Sequence, residues 1–187
     1  MKHLPTKDKA ITKVYSKLRS IVSDFMEALR VGRQLGVDIG DQHCDVVEID
    51  ETLMTHHNGN QIWGFGIYDR VIKELWRFPV PNRTSRTLIP IIKEYVAAGA
   101  QIYSDGWMRY NNFGEEGYDH VVVPRVNGFG SGTETTNGIE SCWSELKRLT
   151  NHDQGIRVSE SDPLQSLQEH INLGAWRRQF KQERRFS

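Results

Sequence analysis

The chain has 187 residues, 37% hydrophobic and 26% charged, and its 24 basic and 24 acidic side chains leave no formal net charge. That length suits one ordinary domain with a sizeable core, and the composition is globular rather than disordered. No run of about 18 apolar residues is present to span a bilayer, the charged start MKHLPTKDKAITK has no apolar signal-peptide core, and two isolated cysteines, Cys44 and Cys142, exclude a disulfide scaffold or a zinc site.

Residues 10–31 have the periodicity of an amphipathic helix. Ile11, Val14, Leu18, Ile21, Val22, Phe25 and Leu29 follow the three-and-four spacing of one face, and Gly32 and Gly36 end it. The expectation is a packing helix laid against the main domain, with a dimerisation helix as the alternative. From residue 46 the period changes. VVEID (46–50), IWGFGIYD (62–69) and KELWRFPVP (73–81) read as strands, with a turn at Asn58-Gly59 and with Pro79 and Pro81 closing the third. SRTLIPIIKEYVAAG reads as a helix closed by Gly99, AQIYSD (100–105) as a fourth strand and HVVVP (120–124) as a fifth. A polar, glycine-rich loop then leads into a helix over 138–149, whose Ile139, Cys142, Trp143, Leu146 and Leu149 share one face. A last helix covers 163–180. Trp143 and Trp176, at helical spacing among apolar residues, are expected in the core. Strands interleaved with helices describe a mixed α/β domain.

Three carboxylates fall where phosphoryl-transfer chemistry would need them. Asp50 and Asp105 end apolar strands, and Glu140 lies in the first turn of a helix. Strand ends gather at one edge of a sheet, and hard divalent cations such as Mg²⁺ or Mn²⁺ require oxygen ligands of this kind. Two cations about 3.5–4 Å apart can activate an attacking oxygen and stabilise a leaving one. Each residue also fits a structural role: Asp50 a turn after its strand, Asp105 an Asp-Gly turn with Gly106, and Glu140 a capping box with Asn137. Glu48 and Glu51 flank Asp50, and strand alternation is expected to turn them away from it, toward basic neighbours or solvent. His56-His57 offers a metal-binding pair but lacks further ligands and reads as polar surface; Trp107 and Tyr110 offer stacking surfaces for a flipped base, with core packing the favoured role of Trp107. The basic tail beginning at Arg177 and Arg178, RRQFKQERR, fits either a solvated helix end or a phosphate contact.

The strings VEIDET (47–52), IYSDGWMRY (102–110) and TNGIESCWSELKR (136–148) occur in that order, with RFPVPNRTSRTLIPIIKEYVAAGAQIYSD linking the first two and GYDHVVV (117–123) after the second. Together they resemble the transposases of the Merlin superfamily and their bacterial insertion-sequence relatives, over roughly residues 46 to 180. The resemblance implies a ribonuclease-H-like mixed sheet flanked by helices, of the DDE transposase and integrase type. It implies a helical lead over 1–45 ahead of a catalytic domain over 46–187. It assigns Asp50, Asp105 and Glu140 as catalytic metal ligands for two Mg²⁺ or Mn²⁺, with Asn137 as a supporting or alternative ligand. The 34 residues between Asp105 and Glu140 are a gap typical of DDE recombinases. Lys147, on the same flank of the helix as Glu140, and Arg148 are expected to touch DNA, as are Arg177 and Arg178. The implied activity is metal-dependent cleavage at transposon ends and strand transfer into target DNA by a homo-oligomer. A catalytically silent, transposase-derived DNA-binding protein and a ribonuclease-H-like nuclease without strand transfer are the alternatives. The expected location is intracellular: nuclear in a eukaryote, cytoplasmic in a bacterium. About 45 residues precede the first motif, whereas full-length relatives usually carry an N-terminal DNA-binding segment there.

Overall fold

The structure is a computed structural model that describes residues 6–37, 46–105, 117–123, 136–149 and 158–183. Its elements are α1 (Thr6–Ala28), β1 (Val46–His57), β2 (Asn60–Asp69), β3 (Leu75–Val80), α2 (Ser85–Tyr95), β4 (Gln101–Asp105), β5 (Asp119–Val123), α3 (Asn137–Leu149) and α4 (Pro163–Glu183). None of the described helices is long and apolar enough to cross a membrane.

The five strands form one sheet in the order β3-β2-β1-β4-β5. The first three make an antiparallel meander, while β4 lies parallel to β1 and β5 parallel to β4. This is the mixed, helix-flanked sheet of the ribonuclease-H-like fold. β1 is longer than its apolar start suggests, because it runs straight into a hairpin with β2. His57 pairs with Asn60, and the two turn residues between them, Asn58 (φ 49°) and Gly59 (φ 77°), both adopt the left-handed conformation that a tight hairpin needs. Pro79 lies inside β3 rather than ending it. β3 is an edge strand, where a missing N–H costs the ladder nothing.

Period-two alternation assigns the sheet's two faces. Val47, Ile49, Phe65, Ile67 and Ile102 pack with Leu88, Ile92 and Val96 from the α2 side. On the other face, Met54 and Ile62 pack under Ile139, Trp143 and Leu146 of α3 and Leu167 and Ile171 of α4. Trp143 is buried as expected, whereas Trp176 is half-buried. Leu35 joins the first of these cores and bridges to Val96, tying the segment after α1 to the sheet.

α1 departs from expectation. It does lie against the domain, on α4, but its apolar stripe faces away. Ile11, Val14, Leu18, Ile21, Phe25 and Leu29 are 41–58% exposed. The hydrogen bonds to α4 come from Ser23 on the other side of α1, where Val22 and Met26 are half-buried, and from Arg30 just after the helix. Arg30 Nη2 donates to Asn172 Oδ1 at 2.5 Å, Asn172 Nδ2 donates to Ser23 Oγ at 2.9 Å, and Gln168 Nε2 donates to Asn172 Oδ1 at 3.0 Å. Arg30 also lies over the Phe78 ring, 5.6 Å from its centroid. Apolar periodicity finds the helix and its stripe, yet it does not say which side meets the protein.

Candidate active site

Asp50 and Asp105 occupy neighbouring positions on adjacent parallel strands. The β1–β4 register runs from Val46 opposite Gln101 to Ile49 opposite Ser104, so the next step places Asp50 beside Asp105. Both are partly exposed. Asp50 also pairs across β2 with Gly66. A Cβ on Gly66 would come within 2.7 Å of Trp143 Cζ2 and 3.1 Å of Ile139 Cδ1, so this position faces α3. Directly opposed residues share a face of a sheet. Asp50 therefore lies on the face that α3 covers.

The start of α3 is held against β1 by a residue whose role the sequence does not announce. Glu48 is on the same face as Asp50, two positions before it, and is buried. The expectation that alternation turns Glu48 away from Asp50 is corrected: a spacing of two returns to the same side. Its Oε2 accepts the Ile139 backbone N–H at 2.8 Å, and its Oε1 accepts Arg70 Nε at 2.6 Å. Arg70 in turn lies over the Tyr103 ring, 4.5 Å from its centroid. Gly138 permits this approach, because a Cβ there would meet Tyr68 Cε1 at 2.5 Å and Glu48 Oε2 at 3.0 Å. The expected capping box between Asn137 and Glu140 is replaced by another arrangement. Thr136 O accepts the Glu140 N–H at 3.2 Å, so the helix starts one residue earlier than a box would require. Glu48, from the strand, satisfies the first-turn amide of Ile139.

Glu51 faces the α2 side, opposite to Asp50. It is nonetheless part of the same electrostatic neighbourhood. Burial, and then the negative charges of Asp50 and Asp105, push its carboxyl from 4.5 up to about 8, with Arg83 pulling the other way. Its Oε1 is buried without a hydrogen-bond partner among the described residues. Period-two alternation locates Glu48 on the Asp50 face, but no sequence signal marks Gly66 and Gly138 as the points where α3 comes close.

Glu140 is exposed in the first turn of α3. Among the described residues, no three Asp, Glu, His or Cys side chains are gathered closely enough to hold a metal ion. The two aspartates are thus brought together, and Glu140 is not closed onto them. Asn137 is exposed at the first position of α3. Lys147 and Arg148 belong to the last turn of α3, and their side chains lie outside the described residues. Arg177 is exposed on α4, while Arg178 reaches back toward α3, with Nη1 3.7 Å from Cys142 Sγ. Trp107 and Tyr110 lie outside the described residues, as do Cys44 and the glycine-rich stretch 124–135. His57 contacts Asn58 at 3.1 Å and Glu160 at 4.0 Å, which suits polar surface.

Residues 45–155 match the ISXO2-like transposase domain family. A transposase-like protein of Haemophilus influenzae is 31% identical over 77 residues, covering 41% of this chain and 63% of that relative. The chain therefore spans less than two thirds of that relative's length. Among solved structures, the catalytic core domain of BIV integrase aligns with a TM-score of 0.43 at 14% identity, over 66% of this chain and 80% of that one. The HTLV-2 integrase catalytic core domain in complex with magnesium aligns with a TM-score of 0.46 at 14% identity, over 71% and 82%. Both scores lie below 0.5, and it is the strand order that carries the fold. The sequence match covers more than half of the chain and contains Asp50, Asp105 and Glu140, and on it this chain belongs to the ISXO2-like transposase domain family.

Proposed function

We propose that this chain is the catalytic part of a DNA transposase of the Merlin type, with residues 46–187 as its catalytic domain and 1–45 as a helical lead. It cuts at transposon ends and joins the freed 3′-hydroxyl to target DNA. What supports this reading is the parallel β1–β4 register, which reaches Ile49 opposite Ser104, one step before Asp50 and Asp105, on a sheet whose one face is covered by the helix that bears Glu140.

The donor set fits hard divalent cations, since every candidate ligand offers oxygen. The neighbourhood fits as well. Burial first, and then the negative charges of Asp50 and Asp105, raise the carboxyl of Glu51 on the other face of β1, so the two aspartates concentrate a negative charge that a cation would relieve. Asp50 and Asp105 would hold two Mg²⁺ or Mn²⁺, with Glu140 completing the set from α3 and Asn137 in support. When bound, such a pair stabilises negative charge on both the attacking and the leaving oxygen of an in-line displacement. The chain's own contribution is placement. Glu48 fixes the start of α3 relative to β1, and Lys147, Arg148, Arg177 and Arg178 provide positive charge for the DNA backbone. On DNA the protein acts as a homo-oligomer.

Incubating purified protein with supercoiled plasmid in Mn²⁺ tests the reading, with Asp105→Asn as control. Nicked and joined products from the wild type alone support a transposase, and nicks without joining support a nuclease instead. The exposed position of Glu140 favours one second reading, a catalytically silent DNA-binding derivative. That reading predicts DNA retention with no metal-dependent product from either protein.

A further inference from the structure

The exposed face of α1 is a heptad seam. Ile11, Leu18 and Phe25 recur every seven residues, and Val14, Ile21 and Ala28 each follow three later. Apolar side chains at this spacing form the contact stripe of paired helices. All six positions are exposed, and Tyr15 and Leu29, 58% and 41% exposed, widen the stripe on one flank. On the opposite side of α1, Ser23 accepts from Asn172 of α4, and Arg30, just after the helix, donates to the same residue. At 1.5 Å per residue the seam from Ile11 to Ala28 is about 26 Å long. Half-exposed large side chains over that length exceed the single scattered apolar residues normal on a monomer's surface. They approach the roughly 800 Å² per partner that a specific interface covers.

We infer that α1 pairs with α1 of a second copy of this chain, antiparallel, about a two-fold axis between Leu18 and Ile21. The direction follows from charge. Lys9, Lys13 and Lys17 lie in the first half of the helix, Asp24 and Glu27 in the second. Of these, Lys17 and Asp24 flank the seam, and parallel pairing would set them beside Val22 and Leu29 of the partner subunit rather than beside an opposite charge. Antiparallel pairing layers Leu18 on Ile21, Val14 on Phe25 and Ile11 on Ala28. It also sets Lys17, exposed beside the seam, next to Asp24 of the partner subunit, and symmetry makes this contact twice. Such flanking charges set orientation in paired helices. Metal binding and catalysis do not enter this inference.

The test is sedimentation equilibrium on the full chain at several concentrations, for the wild type and four variants. The wild type is expected to form dimers. Ile21→Glu is expected to be monomeric with an unchanged circular dichroism spectrum, since position 21 is already 52% exposed. Lys17→Asp and Asp24→Lys each place like charges together and weaken the dimer by roughly ten-fold, and the combined variant recovers wild-type association. A wild type that stays monomeric would mean that another partner covers the seam, and would overturn the inference. A dimer indifferent to Ile21→Glu, or a combined variant no better than its parents, overturns it equally.

Discussion

Glu48 Oε2 accepts the backbone N–H of Ile139 at 2.8 Å, across 91 residues of chain. Through this bond one carboxylate joins the strand that carries Asp50 to the helix turn that carries Glu140. Its other oxygen is held by Arg70 at 2.6 Å, and the two side chains are only 3% and 20% exposed. Neither oxygen needs solvent.

Removing this carboxylate takes away the 2.6 Å ion pair with Arg70 and the acceptor of the Ile139 amide. Glu48→Ala should lower the unfolding free energy by about 3 kcal/mol, the scale for breaking a buried ion pair from one side. Glu48→Gln keeps an oxygen for the Ile139 N–H and should cost less. Urea denaturation of the three proteins checks the ranking, and equal stability of Glu48→Ala and wild type would contradict the role assigned to Glu48.

Gly66 and Gly138 set how closely α3 approaches the sheet. A Cβ at either would fall within 2.7 Å of a side-chain carbon, on Trp143 or Tyr68. Each alanine substitution should destabilise by about 1–3 kcal/mol, the usual cost of overfilling a packed site. Both should also shift the indole fluorescence of Trp143. Gly59→Ala should lose stability for a different reason: nothing lies near that position, but its φ is 77°.

Glu51 predicts a pH dependence. Its carboxyl titrates near 8 in the folded chain and at 4.5 ordinarily. The folded state thus holds this proton more tightly than the unfolded state does. The resulting stabilisation is fully present below pH 4.5 and is lost as pH rises through 8. Melting temperatures of wild type and Glu51→Gln without divalent cations should therefore nearly coincide at low pH. They should separate through neutral pH, with the glutamine variant the more stable, and run parallel above 9. A constant gap at every pH would contradict this.

Most of the fold was legible because apolar periodicity reports burial directly. Among the described residues, β1, β2, α2, β4 and α3 lie where Val47, Ile67, Leu88, Ile102 and Ile139 place them. α1 lies against the domain as expected, but the side it presents was not legible: a stripe such as Ile11-Leu18-Phe25 records that a face wants covering, not what covers it. In the candidate site, Asp50 and Asp105 were read as two strand ends; Asp105 does end β4, but Asp50 lies inside β1, and the register that sets it one step beyond Ile49 opposite Ser104 became visible only with the sheet assembled. The part played by Glu48 was hidden because its partner Ile139 contributes a backbone amide, which every residue type offers. Gly138, inside the motif around Glu140, reads locally as a weak helix residue, and only the Tyr68 ring beside it explains the glycine.

The most direct measurement is the effect of Mn²⁺ on thermal stability, for wild type, Asp50→Asn, Asp105→Asn and Glu140→Gln. Without metal, the asparagine variants should melt slightly higher than wild type, because each removes one of the charges that raise Glu51. With saturating Mn²⁺ the wild type should gain about 5 °C, the scale expected when a ligand at a hundred-fold excess over its dissociation constant binds only the folded state. Asp50→Asn and Asp105→Asn should gain nothing, and Glu140→Gln should gain less than wild type. An equal Mn²⁺ shift in wild type and Asp105→Asn would place the metal elsewhere and contradict the assignment of this site.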